Sequence, residues 1–216
     1  APTLPEAGMD TRVDEISPGV YRLSSYVPEA DVQFKQFLLD GDEPLLFHTG
    51  PCRMFPLVAE VIGRVRPIEK LCWIAFGHVE SDECGAMNDL LAAAPNAQVA
   101  HGRVGCMMSV DDLADRQPRP LDDGEMFDLG GHRLHYLATP HVPHGWDAGV
   151  YYADTTGTLL CGDLFMAVGA SDPLAGRERP GGACSWPKTS STCRRWARRP
   201  PPPSTGWGTC HRARSR

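Results

Sequence analysis

A chain of 216 residues that is 42% hydrophobic and 22% charged can bury one sizeable core or at most two small ones. It contains no apolar stretch near the roughly 20 residues that span a bilayer, and its first residues lack the basic and apolar regions of a secretory signal, so neither membrane insertion nor export is expected. The net charge of −6 is uneven: residues 1–176 hold 11 Lys and Arg against 26 Asp and Glu, and residues 177–216 hold 10 against 1, which makes most of the chain too acidic for a nucleic-acid binder.

Three regions follow from this texture. The chain begins with Ala, and Met9 offers a natural start, so residues 1–9 are set apart as an N-terminal remnant or extension. Residues 10–176 form the folded domain. Residues 177–216 contain no Leu, Ile, Val, Met, Phe or Tyr but carry Pro200–Pro203 and the Arg pairs 194–195 and 198–199. Without aliphatic side chains such a segment cannot offset the roughly 1–2 kcal/mol per residue that ordering its backbone costs. It reads as a disordered basic tail or an out-of-frame C-terminus rather than a nucleic-acid arm. The eight cysteines are scattered with no CxxC pair, and several lie in apolar runs. They read as reduced thiols of a cytoplasmic protein.

In chain order, Val20–Tyr26 and Val32–Leu39 are expected as strands around a polar turn, and Leu45–Phe47 as a third, ending in His48-Thr49-Gly50-Pro51. Phe55, Val58, Ala59, Ile62 and Val65 recur at helical spacing, and Pro67 stops that helix. Leu71–Phe76 is a buried strand, Met87–Ala94 a helix ended by Pro95, and Ala97–Ala100 a short strand reaching His101. Ser109 is expected to cap a short helix running to about Arg116. Met126–Leu129, a Gly130-Gly131 turn and Arg133–Ala138 make a hairpin, and Val150–Ala153 and Thr158–Cys161 follow as strands. Helices alternating with strands early, then a strand-rich stretch, give an α/β sandwich with mixed sheets.

Most of the chemistry sits in HVESDECG, His78 to Gly85, which places one imidazole and three carboxylates in six residues directly after a buried strand. A loop leaving such a strand can aim its side chains at one point. Two later segments match it. Pro140-His141-Val142-Pro143-His144-Gly145-Trp146-Asp147 offers two imidazoles after a strand, and Cys161-Gly162-Asp163-Leu164-Phe165 offers a carboxylate after another. His101 is a weaker candidate. Glu83 has a second reading as a helix cap, because a helix N-terminus favours a carboxylate.

Taken together, HxExD, PHVPHGWD and CGDLF in this order resemble the metallo-β-lactamase superfamily, and within it the flavodiiron and oxygen-binding diiron proteins. The resemblance covers residues 10–176. It implies an αββα sandwich, incomplete at its C-terminal part, and a pair of iron ions. His78, Glu80 and His144 would hold one iron, Asp82 the other, and Asp163 would bridge them. Glu83 stands where the family has a His, which would make the second site richer in oxygen donors. His141 is a substitute ligand or a neighbour of the ligands, and His48 falls where relatives carry a structural Asp. The family's last His has no counterpart, and His211 in the basic tail is not assigned.

Four carboxylates around two divalent ions raise the pKa of bound water and favour the higher oxidation state, whereas a hydrolytic zinc site relies on neutral imidazoles. The resemblance therefore implies a non-haem diiron protein that binds or reduces dioxygen, or nitric oxide. No Gly/Ser/Thr-rich phosphate loop follows an early strand, so no FMN domain is expected and electrons come from a separate donor protein. Family members with this site pair head to tail, which gives a homodimer as a further expectation. The alternatives are a zinc-dependent hydrolase of the same fold acting on a lactone, thioester or β-lactam, and a truncated product without activity.

Overall fold

Parallel pairing in the middle of one sheet sets where the chain's loops converge. The computed structural model describes residues 10–166 and 169–174. The first sheet has seven strands in sequence order: β1 (Asp10–Ser17), β2 (Val20–Val27), β3 (Val32–Leu39), β4 (Leu45–Phe47), β5 (Trp73–Ala75), β6 (Gln98–Gly102) and β7 (Arg119–Leu121). β1 to β4 are antiparallel, and β4 to β7 run parallel. Helices α1 (Phe55–Gly63), α2 (Ser81–Cys84) and α3 (Met87–Ala93) lie in the crossovers between the parallel strands. The second sheet, β8 (Met126–Asp128), β9 (Arg133–Ala138), β10 (Gly149–Ala153) and β11 (Thr158–Leu160), is antiparallel throughout. Mixed pairing is thus confined to the first sheet.

Alternation along the strands sorts the core into two slabs. Leu38, Leu46, Ile74 and Val99 face Val58, Ile62, Leu90 and Leu91 of the helices. Their neighbours Leu39, Leu45, Phe47, Ala75 and Ala100 face Leu134, Tyr136, Tyr151 and Leu160 of the second sheet. Central strands covered on both faces read as continuous apolar runs, as Leu45–Phe47 does. The result is a layered sandwich. Its helix, sheet and sheet layers lie within the described residues, while Met126, Leu137, Tyr152 and Leu159 on the outer face of the second sheet are exposed.

Three local expectations need correction. β1 and β7 were not legible from the sequence. Ser109 does not start a helix: it lies inside a helical run that begins at Arg103–Gly105, passes through a π turn at Cys106–Val110 and ends at Asp111–Leu113. The run starts early because Gly105 lets it approach the His101 ring, which any β-carbon there would overlap. The readings of residues 1–9 and 177–216, His211 included, lie outside the described residues. Among the described residues the cysteines are free thiols, and no helix is long and apolar enough to cross a membrane.

Packing within the second sheet is tight at the start of β10, beside β9. A methyl group on Gly149 would fall on the Tyr136 ring. Gly149→Ala is therefore expected to lower the unfolding free energy by about 1–3 kcal/mol in urea titration, the usual cost of overpacking; an unchanged midpoint would contradict this packing.

Candidate metal centre

The three ligand-bearing segments leave the sheets at one edge. Phe47 pairs with Ala75 and Ile74 with Val99, so the chain emerges from β4, β5 and β6 side by side, carrying His48, His78 and His101. After Ala75, Gly77 O accepts the Gly149 N–H at 2.8 Å, which joins this exit to the start of β10 in the second sheet. Glu80 occupies the cap position of α2 in an extended conformation, and its side chain does not cap the helix. That leaves the carboxylate free to turn toward His78. His144 lies in the loop before β10, and Asp163 in the 3-10 turn Gly162–Phe165 after β11.

His78, Glu80, His144 and Asp163 each offer a ligand atom, and these atoms all lie within 4.8 Å of one another. His78 Nε2 is 2.8 Å from Glu80 Oε2, which is 3.6 Å from His144 Nε2. His144 Nε2 is 3.2 Å from Asp163 Oδ2. The two imidazoles meet edge to face with centroids 4.3 Å apart. An ion with bonds of about 2.0–2.2 Å sets adjacent ligands about 3 Å apart and opposite ones about 4.3 Å apart. The donor set fits one divalent metal ion with two nitrogen and two carboxylate ligands. It is open on one side, since the His144 and Glu80 side chains are each 49% exposed, against 5% for His78.

Asp82 and Glu83 do not join that cluster. Asp82 is half-buried, and its carboxyl is raised above the usual range by burial and by the charges of Asp163, Glu80 and Glu83. Such crowding is what a cation would relieve. Glu83 is 1% exposed and lies on the other side of the His78 ring. Its Oε2 accepts the His78 backbone N–H at 2.8 Å and is 3.3 Å from Nδ1, while Oε1 is 3.2 Å from His48 Nε2. Burial opposes its ionisation, but His48 and His78 outweigh that and hold the carboxyl well below the usual range. Burial likewise disfavours the charged form of His78, yet Glu83, Glu80 and Asp163 lift it to about 9. His141 is exposed in a left-handed conformation with φ 64°, and its N–H donates to Gly145 O.

The sequence places Asp147 in the loop of His144 without giving it a role. In the structure its Oδ2 accepts the Val79 N–H at 2.9 Å and lies 3.4 Å from Nε2 of the fully buried His101. Asp147 thereby ties the loop of His144 to the loop of His78 and Glu80. The signal available was its place in the same loop as His144; its partner, a backbone amide 68 residues away, leaves no trace in a local pattern.

A family model described as "ODP family beta lactamase" matches residues 32–177. The chain belongs to that family. Similar sequences include diflavin flavoprotein A 1 of Nostoc sp., 27% identical over 138 residues, or 61% of this chain and 23% of that protein. Coenzyme F420H(2) oxidase of Methanothermobacter marburgensis is 27% identical over 139 residues, or 61% of this chain and 34% of the relative. The chain thus spans between about a quarter and a third of the curated relatives it matches. Among solved structures, rubredoxin:oxygen oxidoreductase from Desulfovibrio gigas superposes with a TM-score of 0.68 at 17% identity, covering 74% of this chain and 43% of that one. The metal-soaked flavodiiron core of Flv1 from Synechocystis sp. PCC6803 gives 0.69 at 19%, covering 80% and 46%. These likenesses establish the sandwich fold.

Removing the Asp147 carboxylate would strand the Val79 amide and one nitrogen of buried His101. Asp147→Ala should cost about 1–3 kcal/mol of stability, the usual penalty for unsatisfied buried groups. Thermal or chemical unfolding checks this, and a change below about 0.5 kcal/mol would show that the tie carries no weight.

Proposed function

We propose that residues 10–176 form the metal-binding domain of a non-haem diiron oxidoreductase. In this reading the domain binds or reduces dioxygen, or nitric oxide, with electrons from a separate donor protein. The observation that carries it is the convergence of two imidazoles and two carboxylates from three separate segments on one point. Iron held there would supply one-electron redox chemistry toward a diatomic ligand.

The chain's own residues set the conditions. Glu80 and Asp163 bring two negative charges to the first site, which offsets a divalent ion and favours iron over a water-activating zinc. Asp163 feels both centres: its charge acts on His78 and is the foremost charge acting on Asp82. Asp82 and Asp163 would hold the second iron, as the family resemblance implies. Trp146 and Phe165, each two residues past a ligand, are 50% and 75% exposed and give the ligand-bearing turns an apolar border. The names of the relatives support the reading, since an F420H(2) oxidase and a rubredoxin:oxygen oxidoreductase are among them. Pairing of two copies belongs to the same proposal.

Anaerobic loading with ferrous iron, followed by metal analysis and exposure to oxygen, tests this. Two irons per chain and oxygen-dependent visible absorption are expected. Zinc uptake without iron, together with hydrolysis of a generic ester, would instead establish a metallo-hydrolase. Glu80→Ala should lower iron content by at least one equivalent while unfolding shifts by less than about 1 kcal/mol, because the side chain is half exposed. Full iron content in that variant would remove Glu80 from the site.

A further inference from the structure

Glu83 is the most deeply buried carboxylate beside the cluster, and it lies outside the four residues that converge on one point. Glu83, His78 and His48 are 1%, 4% and 9% exposed. A carboxylate so enclosed needs its charge compensated by nearby cations or donors. Oε2 takes the His78 backbone N–H at 2.8 Å and sits 3.3 Å from Nδ1 of the same residue. Oε1 lies 3.2 Å from His48 Nε2 as a buried ion pair, with neither atom in a hydrogen bond. His48 is held in place by stacking on Phe47 at 4.1 Å, in a left-handed conformation (φ 65°) that side-chain-bearing residues seldom adopt.

The backbone repeats the clasp. Glu83 O accepts the Thr49 N–H at 2.7 Å and is 3.2 Å from Thr49 Oγ1. Gly162, at φ 52°, packs its α-carbon so close that a β-carbon would come within 2.9 Å of Glu83 Oε1. The turn that carries Asp163 therefore rests on the same carboxylate.

We propose that Glu83, backed by His48, is the positioning residue of the metal centre: it holds Nδ1 of His78 protonated and directs the Nε2 lone pair toward Glu80, His144 and Asp163. A neutral imidazole has one donor and one acceptor nitrogen, and the bond made by one fixes the role of the other. The two ring nitrogens face opposite ways, so a carboxylate engaged on the Nδ1 side orients the ligand without entering the Nε2 site. His48 Nε2, 3.2 Å from Oε1, sets a second imidazole against the carboxylate in turn. This inference rests on the reading that the four clustered residues bind a metal ion.

The test uses the full chain and zinc as a diamagnetic probe, with metal affinity from competition titration and the His78 ring signals from proton–nitrogen NMR. Glu83→Gln keeps the side-chain shape and should weaken zinc binding about 10- to 100-fold, as loss of such a partner does elsewhere. The His78 Nδ1–H proton, expected to be strongly deshielded in the unaltered protein, should move upfield. His48→Gln should do the same to a smaller degree, and it carries the test if Glu83→Gln fails to fold. Equal affinity and an unmoved Nδ1–H signal in the variants would overturn the proposal. Loss of a whole zinc equivalent with that signal unmoved would make Glu83 a ligand and also overturn it. No zinc uptake by the unaltered chain would bring down the metal-centre reading and this inference with it, a result distinct from equal uptake in all three proteins.

Discussion

The parallel register of β4, β5 and β6 is the constraint on which the rest of the structure depends. Three strands side by side in one direction must end at one edge; His48 and His78 lie just beyond it, and His101 lies at the end of β6. Ligand sites gather beyond the carboxyl ends of parallel strands because loops there start from fixed positions. Helices on one face and a second sheet on the other keep the three strands dry, and their register follows from that burial.

Placing acidic side chains at such an edge has an electrostatic cost, and the fold meets it by dividing the carboxylates according to depth. Glu80 stays half exposed, where solvent screens it. Glu83 goes inside, where two imidazoles and an amide compensate it. Asp147 is anchored by the Val79 amide and His101. Among the described residues, Glu80 and Asp163 are left facing the imidazoles of His78 and His144 across a space that fits one ion. Carboxylates that look alike in the sequence thus differ in what they can do, and depth is what separates them.

Much of the fold was legible because its signals are local. The apolar runs of β4 to β6, the helical spacing of Val58 and Ile62, and the Gly-Gly hairpin of β8 and β9 all lie within short windows. β1 was not legible: Asp-Thr-Arg-Val-Asp-Glu-Ile-Ser has only two apolar residues among its eight, and it is held by a ladder of seven residue pairs to β2 rather than by full burial. β7 hides behind Pro118 and Pro120, which suit an edge strand but argue against one in isolation. At the site, the family resemblance named His78, Glu80, His144 and Asp163, and the structure brings those four together. The inward turn of Glu83 was not readable, because its deciding partners are His48, 35 positions upstream, and a glycine far downstream. Asp147 was obscured for the same reason.

The central claim is that His78, Glu80, His144 and Asp163 share one metal ion. The most direct measurement is a crystal structure of the iron-loaded protein with anomalous data collected on either side of the iron absorption edge. The account predicts an iron-specific peak within about 2.0–2.3 Å of Nε2 of both histidines and of an oxygen from each carboxylate. A peak bound elsewhere, or full iron loading with no density between these four side chains, would contradict it.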